Sequence, residues 1–143
     1  MQFLRPIPLS PTLSFCLLLL RVVVGLAFMY HGWSKIQDPL AWMGTESSIP
    51  GVLQLLAAVS EFFGGLAWIL GLLTPIASLG IIATMAVAVW MHMMVFGDPF
   101  VSSSGGSYEL AAVYLVIAIL LFFAGPGRYA LDYLIFDRKS HHP

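Results

Sequence analysis

Four long apolar stretches occupy most of this chain of 143 residues, at residues 11–36, 52–73, 75–96 and 108–124. A helix rises by ~1.5 Å per residue, so about 20 apolar residues cross the ~30 Å hydrocarbon layer of a bilayer. A helix also satisfies its own backbone polar groups inside that layer. We therefore predict an all-α membrane protein, a single transmembrane four-helix bundle formed by residues 1–143.

The composition supports a membrane location and excludes other classes. Charged residues make up only 9% of the chain and hydrophobic residues 59%, whereas a soluble domain is about a quarter charged. With a formal net charge of -1, the chain has no basic surface for nucleic acid, and the lipid bilayer is its expected partner. The single cysteine, Cys16, excludes an internal disulfide or a paired-cysteine redox site.

The connections and flanking charges predict the topology. Thr74-Pro75 leaves a very tight turn between the second and third stretches, so these helices are expected to be antiparallel neighbours. Positively charged residues flank the first and fourth stretches, namely Arg5, Arg128, Arg138 and Lys139. Because positive charges concentrate on the cytoplasmic side, we predict that both termini are cytoplasmic.

Two ionisable residues fall near the predicted bilayer midplane. Arg21 and Glu61 each lie about ten residues into their helices, counted from opposite faces. An isolated charge at this depth is strongly unfavourable. The simplest expectation is a buried ion pair between Arg21 and Glu61 that holds the first two helices together. The functional alternative makes Glu61 a proton carrier or a contact for a quinone head group.

A second group of polar residues lies near the predicted outer ends of the helices. His31 and Lys35 end the first stretch, His92 ends the third, and Tyr108 and Glu109 open the fourth. We expect these residues to converge into one pocket. Two imidazoles and a carboxylate can ligate a metal, hydrogen-bond a quinone carbonyl or relay protons. The alternative is that both histidines are interfacial residues that hydrogen-bond to loops or lipid head groups.

Helical spacing indicates which faces look into the bundle. One face of the first stretch carries Arg21, Gly25, Phe28, Gly32 and Lys35. A similar stripe on the second carries Ala57, Glu61, Gly65 and Trp68, whose small members allow close helix approach. A copper site formed by the segment 91–94, Met-His-Met-Met, is not predicted, because adjacent residues point in different directions on a helix and these methionines cannot all meet one ion.

A series of short motifs runs through the chain: RVVVGLAFMYHGWSK at 21–35, EFFGG at 61–65, LGLLTP at 70–75, then His92, YELA at 108–111 and GPGRYALD at 125–132. In order and spacing they resemble the DoxX family of small four-helix membrane proteins. The resemblance covers residues 20–132. It implies membrane-bound redox work, because the family is linked to quinone-dependent oxidoreductase systems in bacteria.

On this basis the leading hypothesis is a quinone-interacting oxidoreductase subunit, multi-pass in a bacterial inner membrane. His31, His92 and Glu109 are its candidate catalytic groups. The candidate contacts to the quinone cofactor are Arg21, Lys35, Glu61 and Tyr108. A different class of function is a non-catalytic subunit that anchors a larger redox complex, with homo-oligomers or other redox subunits as partners. A third is a haem or metal carrier that uses the two histidines as ligands.

Overall fold

The computed structural model describes residues 9–137, in which all regular secondary structure is helical and no strand is present. Its helices are α1 (Pro11–Gln37), α2 (Gly51–Leu70), α3 (Thr74–Trp90) and α4 (Glu109–Ala124). Short π-helical segments follow α3 at Met91–Val95 and α4 at Tyr133–Asp137. The predicted all-α fold is confirmed. By length and apolar composition three helices can cross a membrane, α1, α2 and α3 with its π-helical extension, while α4 is a shorter apolar helix of 16 residues.

Local sequence signals explain where the helices begin and end. Ser10 caps α1, its hydroxyl oxygen accepting the Leu13 N–H at 3.3 Å. The helix α2 ends at its C-cap residue Gly71, whose φ of 64° is readily adopted only by glycine. Leu73 follows in the same left-handed region with φ 48°. The turn is therefore as tight as Thr74-Pro75 predicts, and α2 and α3 pack side by side.

A segment beyond α4 completes the start of α3. The Asp132 carboxylate accepts the N–H groups of Leu73 and Thr74, at 2.7 and 2.9 Å. The Asp132 N–H in turn donates to Gly71 O at 2.9 Å. Since no side chain within α3 caps its first turn, Asp132 performs that role from a distant part of the chain. The chain after α4 is thereby fixed to the α2–α3 turn.

Three glycines bring α1 and α2 into direct backbone contact. A Cβ atom on Gly65 would lie 2.6 Å from Gly25 O, and one on Gly32 would lie 2.6 Å from Phe62 N. Neither position has room for a side chain, so the two helices approach as closely as small-residue contacts in membranes allow. This contact fixes which residues of α1 and α2 lie side by side.

One apolar core joins all four helices. It contains Phe28 of α1, Trp68 of α2, Met85 of α3 and Leu121 of α4. The ring of Phe28 packs edge-on against Trp68 at 5.5 Å between centroids. The outward faces carry many exposed large apolar side chains, as expected for helices that lie against lipid.

The predicted pairing of Arg21 with Glu61 is wrong. Arg21 is fully buried and donates instead to backbone carbonyls: Trp68 O at 2.7 Å, Tyr129 O at 3.1 Å, Ile69 O at 3.3 Å and Pro126 O. Counting depth from opposite faces fails because α1 has 27 residues and α2 only 20. The glycine contacts place Arg21 beside the last turn of α2, where carbonyls lack helical partners. Asp132 supplies its opposite charge.

The glycine contact predicts a large effect of a single methyl group. Gly65→Ala should destabilise the fold by about 1–3 kcal/mol, because the new Cβ overlaps the α1 backbone. Thermal unfolding of the purified protein in detergent measures this change. Gly105→Ala is the matched control, since a Cβ there would meet only Ser102 Oγ at 3.7 Å. Equal melting temperatures for both variants would contradict the close contact.

The Arg21 cluster predicts a second, larger effect. Arg21→Met should lower stability by about 3–5 kcal/mol, because it leaves buried carbonyls and the Asp132 carboxylate without their cation. The same thermal unfolding measurement applies. Arg128→Met is the control, since this arginine is exposed in the segment after α4. An Arg21→Met protein as stable as its control would show that the cluster does not hold the bundle together.

Candidate functional site

A cavity of about 210 Å³ lies between the helices, near the end of α1 and the start of α4. All four helices contribute to it, together with the π-helical segment after α3. Its apolar wall consists of Phe28, Met85, Ala88, Leu110 and Ala111. Its polar lining consists of His31, Lys35, Glu61, His92, Ser107 and Tyr114. The cavity is open on one side, and a concave space with a few convergent polar groups is the usual form of a small-molecule site.

An ion pair between Lys35 and Glu61 forms one wall of this cavity. Lys35 Nζ lies 2.6 Å from Glu61 Oε1 and 2.7 Å from Oε2. The Glu61 side chain is only 2% exposed and that of Lys35 is 23% exposed. The same α1–α2 contact that moves Arg21 away from Glu61 brings Lys35 to it. Glu61 therefore has a cationic partner as expected, but the partner is Lys35.

The connection between α1 and α2 covers the outer side of this pair. Lys35 Nζ lies 4.5 Å from the centroid of the Trp42 ring, which is within the range of a cation–π interaction. Trp42 is held by a hydrogen bond from its Nε1 to Gln54 O at 2.9 Å. The buried Gln54 amide also accepts Met43 N–H at 3.0 Å and donates to Ile49 O at 2.9 Å. One glutamine of α2 thus fixes the middle and the end of the connecting loop.

His92 and Asp98 form a second polar contact at the cavity. His92 Nδ1 lies 2.6 Å from Asp98 Oδ2. The π-helical segment and Gly97, with φ 68°, turn the chain so that Asp98 comes back to His92. The two side chains are partly exposed, at 33% and 21%. Departures from regular α-helix of this kind are frequent at functional sites.

The remaining predicted site residues are divided between the cavity and other places. His31 lines the cavity and its ring lies 6.2 Å from that of Tyr114. Tyr108 precedes α4 and packs against Phe100 at 5.3 Å, outside the lining. Glu109 is exposed in the first turn of α4, because Leu110, Ala111 and Tyr114 form the α4 wall.

The structure thus brings His31, Lys35 and His92 together, as expected, and adds Glu61 to them. It leaves Tyr108 and Glu109 outside, and Arg21 belongs to the cluster around Asp132. The catalytic and binding roles of all these residues stay predictions. Sequence reasoning did not assign Gln54 or Asp98 to the site, although a lone glutamine in an apolar helix and an aspartate six residues after His92 were visible signals.

The chemistry available in the cavity is acid–base and electrostatic. The ammonium–carboxylate pair provides charges in a low-dielectric space, where they act more strongly than in water. The imidazole beside a carboxylate can accept or release a proton. Within residues 9–137 no group of three or more histidine, cysteine, aspartate or glutamate side chains is placed to hold a metal ion.

The Lys35–Glu61 pair predicts a non-additive double mutant. Lys35→Met alone should be destabilising by several kcal/mol, about 3–5, since it leaves the Glu61 carboxylate buried without a cation. Adding Glu61→Leu should recover much of that loss. A double-mutant cycle of unfolding free energies in detergent measures the coupling. Additive effects of the two changes would contradict a direct pair.

Taken together, these features define a small helical membrane protein with ionisable side chains enclosed between its helices. The DoxX family model matches residues 16–94, more than half of the chain, and the protein belongs to the DoxX family.

Two curated proteins align over most of their length with this chain. An uncharacterized protein of Haemophilus influenzae is 32% identical over 121 residues, which is 83% of this chain and 90% of that protein. The "putative oxidoreductase CatD" of Bacillus subtilis is 29% identical over 126 residues, which is 87% of this chain and 90% of that protein. No solved structure gives a significant match.

Proposed function

We propose that this protein is a membrane-bound redox subunit that binds a quinone head group, oxidised or reduced, in the cavity between its helices. The observation that carries this proposal is the convergence of the Lys35–Glu61 pair and His92 on one half-open cavity with aromatic and aliphatic walls. Strongly interacting ionisable groups in a cleft mark candidate functional sites. The oxidoreductase name of the Bacillus subtilis relative supports redox work.

The size of the cavity suits a single-ring ligand. Pockets for drug-sized molecules are about 300–1,000 Å³, whereas this cavity measures about 210 Å³. A one-ring head group fits that space, and its isoprenoid tail would extend into the bilayer. Phe28, Met85 and Tyr114 provide flat or flexible apolar contacts for such a ring.

The polar side chains of the cavity would interact with the oxygens of the bound ring. His31 and His92 lie on the lining from different helices and would hydrogen-bond and exchange protons with the ring oxygens. The Lys35 ammonium would stabilise negative charge that develops on a bound head group, while Glu61 holds the ammonium in place. Arg21 acts at a distance from this ligand as a structural residue.

The same proposal includes an orientation in the bacterial inner membrane, with both termini cytoplasmic. The cavity lies at the end of the bundle opposite the start of α1 and the end of α4, so it would face the outer leaflet. Arg128 follows α4 on the proposed cytoplasmic side. The other charges that favour this orientation, Arg5, Arg138 and Lys139, lie outside the described residues.

A binding experiment with a soluble short-chain benzoquinone tests the proposed function. We expect the purified protein to bind it, and His31→Gln and Glu61→Gln each to weaken binding by about tenfold or more, the loss of a charged or well-placed hydrogen bond. Isothermal titration calorimetry in detergent measures the affinity. Glu46→Gln is the control, because Glu46 is exposed in the loop after α1.

Two outcomes would count against the proposal. Wild-type protein that binds no benzoquinone would remove the quinone function and leave a non-catalytic subunit of a redox complex as the better account. Binding that neither of the two cavity variants weakens would place the head group elsewhere on the protein.

A further inference from the structure

The contact between His92 and Asp98 has a chemical consequence for the ligand. The 2.6 Å distance joins Nδ1 of the imidazole to Oδ2 of the carboxylate. An ionised carboxylate can only accept hydrogen bonds, so the proton of this contact resides on Nδ1. In the neutral imidazole the other ring nitrogen, Nε2, then has a lone pair and no proton. His92 therefore contributes a hydrogen-bond acceptor to the cavity that it lines.

The chain builds this contact from several independent features. The Asp98 N–H donates to His92 O at 2.8 Å, and the Phe96 N–H donates to Met91 O at 3.0 Å, which is the π-helical pattern. On the other side of Asp98, a Cβ on Gly106 would overlap the carboxylate. The loop between α3 and α4 therefore closes tightly around Asp98, and the carboxylate has little freedom to leave His92.

We infer that His92 and Asp98 make the cavity selective for the reduced form of its ligand, a hydroquinone or related diphenol. An acceptor nitrogen needs a donor on the ligand, and a hydroquinone hydroxyl donates whereas a quinone carbonyl only accepts. This inference rests on the proposed function. It names which of the two oxidation states the cavity favours and makes Asp98 the positioning residue that determines it.

The same geometry allows a proton to pass from the ligand to His92. The hydroxyl O–H bond of the bound hydroquinone breaks and an N–H bond forms at His92 Nε2, which leaves a hydroquinone monoanion and an imidazolium. Asp98 stabilises the imidazolium through Nδ1–H, as a carboxylate does for a catalytic histidine. Lys35 lies on the same cavity and offsets the charge of the monoanion. No electron moves in this step.

The other titratable groups around the cavity do not provide the same acceptor. These groups are His31 on α1, Lys35 on α1, Glu61 on α2 and Tyr114 on α4. Lys35 and Glu61 are hydrogen-bonded to each other. His31 contacts the Tyr114 ring, and in the described part of the chain no carboxylate fixes its tautomer. His92 is thus the cavity imidazole whose protonation pattern the fold determines.

The test compares both oxidation states of one ligand on the full-length protein. Anaerobic calorimetry would measure the affinities of a short-chain benzoquinone and of its hydroquinone for wild-type protein and for Asp98→Asn. We expect wild-type protein to bind the hydroquinone about tenfold tighter, the value of one well-placed hydrogen bond. An asparagine amide can donate to Nδ1 and so moves the proton to Nε2, and the preference should disappear.

Two controls separate positioning from folding. Asp38→Asn changes an exposed aspartate that also precedes a proline, and it should keep the preference. Asp98→Glu restores a carboxylate and should recover part of it. ¹⁵N NMR of the ligand-free protein, with His92→Gln to assign the signals, should show His92 protonated on Nδ1 in wild-type protein and on Nε2 in Asp98→Asn. Because the NMR measurement uses ligand-free protein, it reports the tautomer even if Asp98→Asn lowers ligand affinity by destabilising the fold.

The outcomes distinguish this inference from the proposed function. Binding of neither form by wild-type protein would overturn both. Equal binding of the two forms, or a preference that Asp98→Asn leaves unchanged, would overturn the redox-state selectivity and leave the quinone function standing. A His92 tautomer with its proton on Nε2 in wild-type protein would overturn the role of Asp98.

Discussion

The close contact of α1 and α2 at Gly25, Gly32 and Gly65 determines the partners of the ionisable residues on these two helices. At these positions the backbones meet without intervening side chains, so the two helices cannot slide past each other without steric overlap. The resulting alignment places Arg21 at the last turn of α2 and Lys35 beside Glu61. A shift of one helical turn would leave both a buried cation and a buried carboxylate without partners. Unpaired charges inside a bilayer are strongly destabilising.

The two ends of the bundle use their charges differently. At one end, the guanidinium of Arg21 joins the end of α2 to the segment after α4, and Asp132 joins that segment to the start of α3. These groups are fully buried, and their hydrogen bonds are directed to backbone atoms. At the other end, Lys35, Glu61 and His92 line a cavity, and the side chains of Lys35 and His92 are partly exposed. The first arrangement stabilises the fold, and the second is free to interact with a ligand.

Hydropathy predicted the helices well, because an apolar run of this length has few other stable structures in a bilayer. The partner of Arg21 could not be predicted in this way. Counting residues from each membrane face assumes that α1 and α2 have the same length, whereas their relative position depends on the glycine contacts between them. Glu109 illustrates a second limit. The sequence places it at the start of α4, but the side of the first turn that faces the cavity depends on how α4 packs against the other helices. Gln54 and Asp98 act through loops, whose paths hydropathy does not reveal.

The central claim is that the cavity between Lys35, Glu61 and His92 holds the head group of a redox-active ring. A density map of the protein in lipid nanodiscs, saturated with a short-chain benzoquinone under reducing conditions, tests it most directly. We expect flat density inside the cavity, against Phe28 and within hydrogen-bond distance of His92. A saturated sample with the cavity empty, or with the ring bound at the lipid-facing surface, would contradict it.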